Sequence, residues 1–406
     1  MNVESGLRIR HLSPAFRTFC GEGALDALPS ELARAGARRA VIICIPAVAA
    51  HEDAMGRLRE ALGHRLAGQF EGVEEHSPLP SVEKARAFLA HHDADAVIAV
   101  GGGSSVVTAR AATILLGEAK DVRELCTRRE PGGRLVSPRL PAPKLPQWVV
   151  PSSPTTAYAK AGAAVRDPET GERLALYDPK ARAQGVVLDP VMALTAPPRL
   201  SWSAALNIFS MAVEGLQSRR IDPLADAMLA HALRMVVTWL PRVAKDPDHA
   251  APRLQLMLAA VMSGEGTDYT GGGLAQALSH AIGPRSQAPN GVVEALLLPH
   301  AMRFSASAVA DRLASIADYL GLADRSAEGV IAEVERLLGV FEAPRRLQEI
   351  GVPQDALTEA AAHAMDDWAI TAGPRVPDAQ DVRDLLQGAW LPRHSDPSMT
   401  ITEEVR

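Results

Sequence analysis

A run of apolar residues followed by three glycines constrains this chain more than any other segment. Residues 97–110 read Val-Ile-Ala-Val-Gly-Gly-Gly-Ser-Ser-Val-Val-Thr-Ala-Arg. The apolar residues predict a buried strand, and Ser104 is predicted to cap the helix that follows. Gly101, Gly102 and Gly103 have no Cβ, so their backbone N–H groups would be accessible beside the positive end of the helix dipole. Such a turn suits a phosphate or pyrophosphate, although glycine-rich turns also occur without any ligand.

The composition is typical of a globular protein with a sizeable core. The 406 residues predict two or three domains, and 47% of them are apolar. The net charge of −6 and the lack of a basic block argue against nucleic acid as a partner. The three cysteines lie in no metal or redox motif, which fits a reducing compartment. With neither a secretory leader nor an apolar run long enough to span a bilayer, we expect a cytoplasmic protein without a membrane partner.

The first half of the chain alternates short β-branched segments with helical patterns. The predicted strands lie near residues 39–46, 96–100, 148–151 and 186–188, and the predicted helices include 58–66, 82–91 and 104–116. Strands that alternate with helices form a parallel sheet covered on both sides. From about residue 198 onward the pattern is helical throughout. We therefore predict an α/β domain over residues 1–195 and an all-helical domain over residues 196–406.

Several separated segments carry motifs of one protein family. They are Phe-Cys-Gly-Glu-Gly-Ala-Leu (19–25), the glycine run (97–104), Pro-Ser-Ser-Pro-Thr-Thr (151–156), Val-Leu-Asp-Pro (187–190), Leu-Leu-Pro-His (297–300) and Gly-Pro-Arg (373–375). With these motifs in this order, the chain resembles the iron-containing, or group III, alcohol dehydrogenases, which are relatives of glycerol dehydrogenase and dehydroquinate synthase. The resemblance covers almost the full length. It implies the dehydroquinate synthase-like fold, with a Rossmann-like α/β N-terminal domain around a parallel sheet and an all-α C-terminal domain.

The resemblance also implies that NAD(P) binds in a cleft between the two domains. It assigns the pyrophosphate to the glycine turn and Ser104, and it places Thr155 and Thr156 beside the cofactor. After the first strand the family often has an acid that bonds the adenosine ribose, whereas Ile45 and Pro46 follow that strand here. A carboxylate at this point would repel a 2′-phosphate, so its absence slightly favours NADP over NAD.

The chain departs from the family at the metal site. Members hold Fe²⁺ or Zn²⁺ with one Asp and three His, and the matching positions here are Asn207, Met211, Gln276 and Asn290. Neutral amide oxygens and a thioether bring no negative charge to offset a divalent cation, which prefers carboxylate and imidazole. We therefore predict no bound iron or zinc. We expect the four side chains to line a pocket where amides can hydrogen-bond a substrate.

Without a metal, hydride transfer needs another proton donor, and His280 is the candidate. It matches a family histidine that lies near the nicotinamide without binding metal, and histidine exchanges protons near neutral pH. The alternative is a helix histidine that bonds a backbone carbonyl. Arg285 is a candidate for holding a substrate carboxylate, although a solvated loop arginine is the favoured interpretation.

The predicted activity is metal-independent, NAD(P)-dependent hydride transfer to or from a small polar hydroxy or keto compound, carboxylates included. The resemblance further implies a homodimer. Two alternatives remain open. One is a non-redox enzyme, of lyase or cyclase type, on the same scaffold, and the other is an inactive binding subunit.

Overall fold

The structure is a computed structural model, and it describes residues 11–130 and 135–391. In these residues the strands are β1 (Arg17–Cys20), β2 (Ala40–Cys44), β3 (Leu66–Phe70), β4 (Ala96–Gly101), β5 (Arg128–Arg129), β6 (Leu135–Val136), β7 (Gln147–Pro151), β8 (Gly162–Arg166), β9 (Arg173–Tyr177) and β10 (Ala183–Leu188). The helices up to the end of the sheet strands are α1 (Leu28–Arg34), α2 (Pro46–Ala49), α3 (Glu52–Leu62), α4 (Leu79–His91), α5 (Gly103–Glu118) and α6 (Val122–Leu125).

After β10 the described chain contains helices and no further strand. They are α7 (Pro190–Leu194), α8 (Pro198–Leu216), α9 (Pro223–Lys245), α10 (Ala250–Thr270), α11 (Leu274–Ile282), α12 (Asn290–Ser305), α13 (Ala310–Leu320), α14 (Ala327–Val340), α15 (Leu357–Asp366) and α16 (Ala379–Trp390). Short 3₁₀ segments connect several of them, among them Trp368–Thr371.

Six strands form one sheet in the order β1-β10-β7-β4-β2-β3, and every neighbouring pair is parallel. Parallel neighbours need helical crossovers, which explains why strands and helices alternate along this part of the sequence. The prediction of an α/β domain with a parallel sheet, followed by an all-helical region, is therefore confirmed. The antiparallel pairs β5–β6 and β8–β9 lie outside this sheet.

The centre of the sheet is its most apolar part. All residues of β2 and β4 are buried, and Trp148 on β7 has no exposed surface. Continuous apolar strands of this kind are typical of sheets covered by helices on both faces. The register pairs Cys44 with Val100 and Gly101 with Pro151, so the carboxyl ends of β2, β4 and β7 meet at one edge. Open parallel sheets bind ligands at that edge.

Contacts divide the described chain into two compact units. Unit 1 contains the residues up to Ile208 and Asp222–Tyr269, and unit 2 contains Phe209–Ile221 and the residues from Thr270 onward. Helices α9 and most of α10 thus belong with the sheet, and the division falls within α8. The predicted boundary near residue 195 marks the end of the strands instead, and it stays a prediction.

No helix in the described part of the chain is both long enough and apolar enough to cross a bilayer.

Candidate active site

The glycine turn in unit 1 requires glycine at its first position. Strand β4 ends at Gly101, whose φ of +126° is a conformation that other residues rarely adopt. A Cβ at Gly101 would also lie 2.7 Å from the hydroxyl oxygen of Ser105. Gly102 follows in an extended conformation, and α5 begins at Gly103. The strand, turn and helix of the sequence prediction are all present.

The helix cap differs from the prediction. Gly102, and not Ser104, is the N-cap of α5, and no described side chain caps this helix end. The Ser104 hydroxyl instead accepts a hydrogen bond at 3.2 Å from the backbone N–H of His76, and the Ser104 carbonyl accepts one from Ser77. Because the first N–H groups of a helix lack partners within it, those at the start of α5 are suited to an anionic ligand.

Hydroxyl groups from the loop after β7 flank the turn. The Ser153 Oγ atom lies 3.4 Å from the position that a Cβ on Gly102 would take, and Thr155 Oγ1 lies 3.3 Å from that of Gly103. Thr156 takes a different place, since its carbonyl oxygen lies 3.1 Å from the Cβ position of Gly264 on α10. The structure therefore brings Thr155 to the turn and packs the Thr156 backbone against α10.

Ser153 was not predicted to lie here. Its only sequence signal is its place in the same Pro-Ser-Ser-Pro-Thr-Thr segment. It is 2% exposed, so it is a buried hydroxyl at the edge of the turn.

The end of β2 brings an apolar group to the glycine turn. Ile45 is the N-cap of the short helix α2, and Pro46 is the first residue of that helix. The Ile45 Cγ2 atom lies 3.6 Å from the Cβ position of Gly101. Both residues thus lie beside the turn, as neighbouring parallel strands require, and their contact with an adenosine ribose stays a prediction.

The four residues that the sequence analysis assigned to the metal-ligand positions lie on three helices. Asn207 and Met211 are one turn apart on α8, Gln276 is in the first turn of α11, and Asn290 begins α12. Helices α11 and α12 pack against each other in unit 2. Met211 is 6% exposed and Gln276 is 8% exposed.

Glycines make room for the amide groups in unit 2. A Cβ on Gly272 would collide with the Gln276 amide, and one on Gly283 would collide with the Asn290 carbonyl oxygen. Among the described residues, nothing hydrogen-bonds the buried Oε1 atom of Gln276. A buried acceptor without a donor is costly, so this oxygen is well suited to accept a hydrogen bond from a ligand.

A buried carboxylate lies next to Gln276 but is already engaged. Glu214, one turn beyond Met211 on α8, accepts hydrogen bonds from the backbone N–H groups of Ala275 (2.7 Å) and Gln276 (3.2 Å). Burial raises the pKa of the Glu214 carboxyl to about 7, although these two hydrogen bonds oppose the shift. Glu214 therefore caps α11 from another helix, and both of its oxygens serve that purpose.

This donor set does not fit iron or zinc. Three amides and one thioether supply no negative charge, whereas Fe²⁺ and Zn²⁺ sites use imidazole, carboxylate or thiolate. Within the described ranges, no three His, Cys, Asp or Glu side chains are grouped so that they could hold a metal ion. Glu214 is the carboxylate next to Gln276, and its oxygens already accept from the end of α11.

His280 is held by a carboxylate that the sequence interpretation missed. Its Nδ1 atom lies 2.8 Å from Oδ2 of Asp367, and the two side chains are 14% and 10% exposed. Asp367 is itself fixed, because its Oδ1 accepts a hydrogen bond from the backbone N–H of Ala369 at 2.8 Å. A carboxylate at Nδ1 orients the imidazole and stabilises its protonated form. The catalytic role of His280 stays a prediction.

Arg285 is engaged with its own surroundings. It donates to the Ala281 carbonyl at 2.7 Å, and its Nη2 lies 2.8 Å from Nδ1 of His363 and 2.9 Å from a carboxylate oxygen of Glu359. With its side chain 15% exposed, Arg285 is neither a solvated loop residue nor an open anion receptor.

Known proteins resemble this chain along almost its whole length. Residues 15–190 match the family model for iron-containing alcohol dehydrogenase, and residues 202–390 match the C-terminal model of the Fe-containing alcohol dehydrogenase family. Maleylacetate reductase 1 from Cupriavidus pinatubonensis is 27% identical over 95% of this chain and 98% of that protein. Lactaldehyde reductase from Escherichia coli is 27% identical over 91% of this chain and 97% of that protein.

A solved structure confirms the fold at lower identity. Sulfoacetaldehyde reductase from Bifidobacterium kashiwanohense, solved in complex with NAD⁺, has a TM-score of 0.81. It is 16% identical, and the match covers 94% of this chain and 99% of that one.

Proposed function

Because the chain belongs to the iron-containing alcohol dehydrogenase family, we propose that it is an NAD(P)-dependent oxidoreductase that works without a bound metal. Its named relatives include maleylacetate reductase and lactaldehyde reductase, and a structural neighbour was solved with NAD⁺. The substrate we propose is a small polar hydroxy or keto compound. The name maleylacetate reductase denotes action on a carboxylate, which supports an acid as the substrate class.

The glycine turn would hold the dinucleotide pyrophosphate. Gly101, Gly102 and Gly103 present backbone without side chains, and the first N–H groups of α5 have no side-chain cap in the described chain. Ser153 and Thr155 add hydroxyls at the rim. A bound nicotinamide cofactor would supply or accept the hydride. We further propose a slight preference for NADP, since an uncharged Ile45 beside Gly101 would not repel a 2′-phosphate.

The substrate oxygen would be handled by neutral groups of the chain. Gln276 offers an acceptor to a substrate hydroxyl through its Oε1 atom, and the amide of Asn290 adds a hydrogen-bonding group on α12. His280 would hold or release a proton while Asp367 stabilises the imidazolium through its contact with Nδ1. In this proposal the His280–Asp367 pair, and not a metal ion, assists proton transfer to or from the substrate oxygen.

One observation carries the proposal of metal independence. The buried Oε1 of Gln276 has no donor in the described chain. The sequence resemblance assigns to this position an imidazole ligand of the family. A degraded site would be expected to fill such a position with apolar side chains, because an unsatisfied buried acceptor costs about 1–3 kcal/mol. The retained amide is therefore better explained by a ligand that donates to it.

The test is turnover by chelated protein. After treatment with EDTA and buffer exchange, elemental analysis should show far less than one iron or zinc ion per chain. The same sample should oxidise NADPH or NADH with a member of a panel of keto acids and aldehydes. Activity that disappears on chelation and returns with Fe²⁺ or Zn²⁺ would refute metal independence.

Gln276→Met tests the amide directly. It should raise KM by about tenfold, because one hydrogen bond is removed from a buried site. Gln354→Met, at an exposed position on a 3₁₀ segment, is the control and should leave KM unchanged.

If none of the four forms NAD⁺, NADH, NADP⁺ and NADPH binds, the non-redox enzyme or the inactive subunit becomes the better proposal.

A further inference from the structure

Lys160 occupies an unusual electrostatic position in unit 1. It follows the 3₁₀ segment Ala157–Ala159 in the loop that starts beside the glycine turn. Its Nζ donates to the Gly264 carbonyl at 2.8 Å and to Thr267 Oγ1 at 2.6 Å, both on α10. Both acceptors are neutral, and no carboxylate of the described chain forms an ion pair with this ammonium group. Since an ammonium group has three N–H donors, one remains for another acceptor.

Two further cations surround Lys160. Arg110 is fully buried on α5 and donates to the carbonyls of Ala157 (2.8 Å), Gly162 (2.8 Å) and Ala181 (3.2 Å). These acceptors are also neutral.

Arg182 is the member of the cluster with a carboxylate partner. It donates to the Ala159 carbonyl and to Asp268 Oδ2, both at 2.6 Å. Lys160, Arg110 and Arg182 thus bring three positive charges together with the single carboxylate of Asp268.

The surplus charge is energetically unfavourable without a ligand. Burial is the main cause that lowers the pKa of Lys160 to about 8; the carboxylate of Asp268 opposes this shift, and the positive charges of Arg182 and Arg110 add to it. The carboxylate of Glu265, nearby on α10, interacts with His11 and Asp268. An anion beside Lys160 would balance the cluster. Lys160 is only partly buried, so such an anion can reach it.

We propose that Lys160, supported by Arg110 and Arg182, binds a small carboxylate anion in unit 1. This anion site goes beyond the function proposed above and does not depend on it. Lys160 is a residue that the sequence interpretation missed. Arg285, the arginine considered from the sequence, is engaged by Glu359 and His363 and does not compete for this role.

A purely structural Lys160 makes different predictions. If the ammonium group only tied the loop to α10, replacing it would lower stability, and added carboxylates would not distinguish the variant from the natural protein. If it binds an anion, the charge balance of the cluster controls affinity. Removing a cation must then weaken binding, and removing the carboxylate of Asp268 must strengthen it.

The experiment is calorimetric titration of the full chain with malonate, with dimethyl malonate as the uncharged counterpart. The natural protein should bind malonate and not the ester. Lys160→Met should weaken malonate binding by at least about tenfold, because a charge-assisted hydrogen bond is removed. Lys84→Met, at an exposed position on α4, is the matched control and should bind as the natural protein does.

Asp268→Asn gives the opposite sign and does not depend on whether Lys160→Met folds. It should tighten malonate binding several-fold by removing the cluster's carboxylate. Unchanged or weaker binding by Asp268→Asn would overturn the proposal, as would natural affinity in a folded Lys160→Met protein or the absence of malonate binding to the natural protein.

Turnover separates this proposal from the proposed function. Malonate binding that depends on Lys160, without oxidation of any nicotinamide cofactor, would leave the anion site standing and remove the oxidoreductase. Turnover that is unaffected by Lys160→Met, together with no malonate binding, would remove the anion site and leave the oxidoreductase standing.

Discussion

Each unit contains three consecutive glycines at the start of a helix, residues 101–103 in unit 1 and 271–273 in unit 2. The two runs differ in what lies beside them. In unit 1, Cβ atoms on Gly102 and Gly103 would come no nearer than 3.3 Å to a hydroxyl oxygen of the neighbouring loop. In unit 2, Cβ atoms on Gly272 and Gly273 would collide with the Gln276 amide and the Glu214 carboxylate. At Gly102 and Gly103 the neighbouring hydroxyl groups stay outside the Cβ positions, whereas at Gly272 and Gly273 the chain's own polar groups occupy them.

The difference teaches that a glycine run does not by itself indicate a ligand. What counts is whether the space beside it is filled. The run before α5 leaves helix N–H groups without a side-chain cap in the described chain, whereas those at the start of α11 are bonded by a carboxylate from α8. Five substitutions can break or sharpen this contrast.

The largest expected effect belongs to the proposed proton-transfer pair of His280 and Asp367. His280→Ala should lower the rate by about 10²–10⁴-fold while leaving cofactor affinity nearly unchanged. Asp367→Asn should also slow turnover and should alter the pH profile of kcat, because the carboxylate that stabilises the imidazolium is lost. Steady-state kinetics across pH measures both effects.

Asp355→Asn, at a position outside this pair, is the control and should keep the natural profile. A His280→Ala protein with natural kcat would remove His280 from the mechanism.

Gly102→Ala tests the open run with little expected effect on the fold. Its φ of −86° suits alanine, and the nearest atom would be Ser153 Oγ at 3.4 Å, an ordinary contact. Dinucleotide affinity should nevertheless fall by about tenfold or more, because the new methyl group would occupy the path of a pyrophosphate. Titration calorimetry with NADP⁺ and a thermal melt measure the two quantities.

Gly388→Ala in α16 is the matched control, since its Cβ would meet nothing within 4 Å. Equal cofactor affinity in the two variants would show that the open run is not a dinucleotide site.

Gly273→Ala tests the filled run and should act on stability first. The new methyl group would displace the Glu214 carboxylate from the end of α11, leaving two N–H groups and a carboxylate without partners. Loss of such a cap should lower the free energy of unfolding by about 1–3 kcal/mol. Urea unfolding at neutral pH measures it, and an unchanged midpoint would contradict the capping role.

Glu214→Gln should change stability in a way that depends on pH. The folded pKa of Glu214 is raised to about 7 from 4.5, so the folded state binds this proton more tightly than the unfolded state. The resulting stabilisation is present below pH 4.5 and is lost as the pH rises through 7. Because glutamine cannot ionise, the Tm of the variant relative to the natural protein should increase over that range.

Glu83→Gln, at an exposed position on α4, controls for general charge effects. A difference in Tm between Glu214→Gln and the natural protein that stays constant from pH 4.5 to 7 would show that the carboxyl pKa is not raised.

The sequence predicted the fold best where the pattern is least ambiguous. Strands β2 and β4 are continuous apolar segments, β7 and β10 each contain a shorter apolar run, and all four were predicted. Strands β1 and β3 were missed because they are more exposed and less apolar. The predicted helix over 58–66 is wrong at its end, since α3 stops at Leu62 and Leu66 begins β3.

The sequence predicted the candidate site only where local backbone conformation determines its structure. The glycine turn follows from local sequence, because φ at Gly101 and the start of α5 are local properties. Asp367 and Lys160 were missed because their partners are 87 and about 100 residues away in sequence, at His280, Gly264 and Thr267. No periodicity or short motif links residues so far apart, and only the packing of helices brings them together.

The cap that Glu214 places on α11 also bears on how the chain acquires its structure. The donor and acceptor are separated by 61 positions, and the segment that they stabilise starts with three glycines, which are poor helix formers. Nucleation of a nine-residue helix after such a start is unfavourable in isolation. The α11 segment should therefore stay unstructured until α8 docks against it. Formation of α11 is then a late, non-local step in folding.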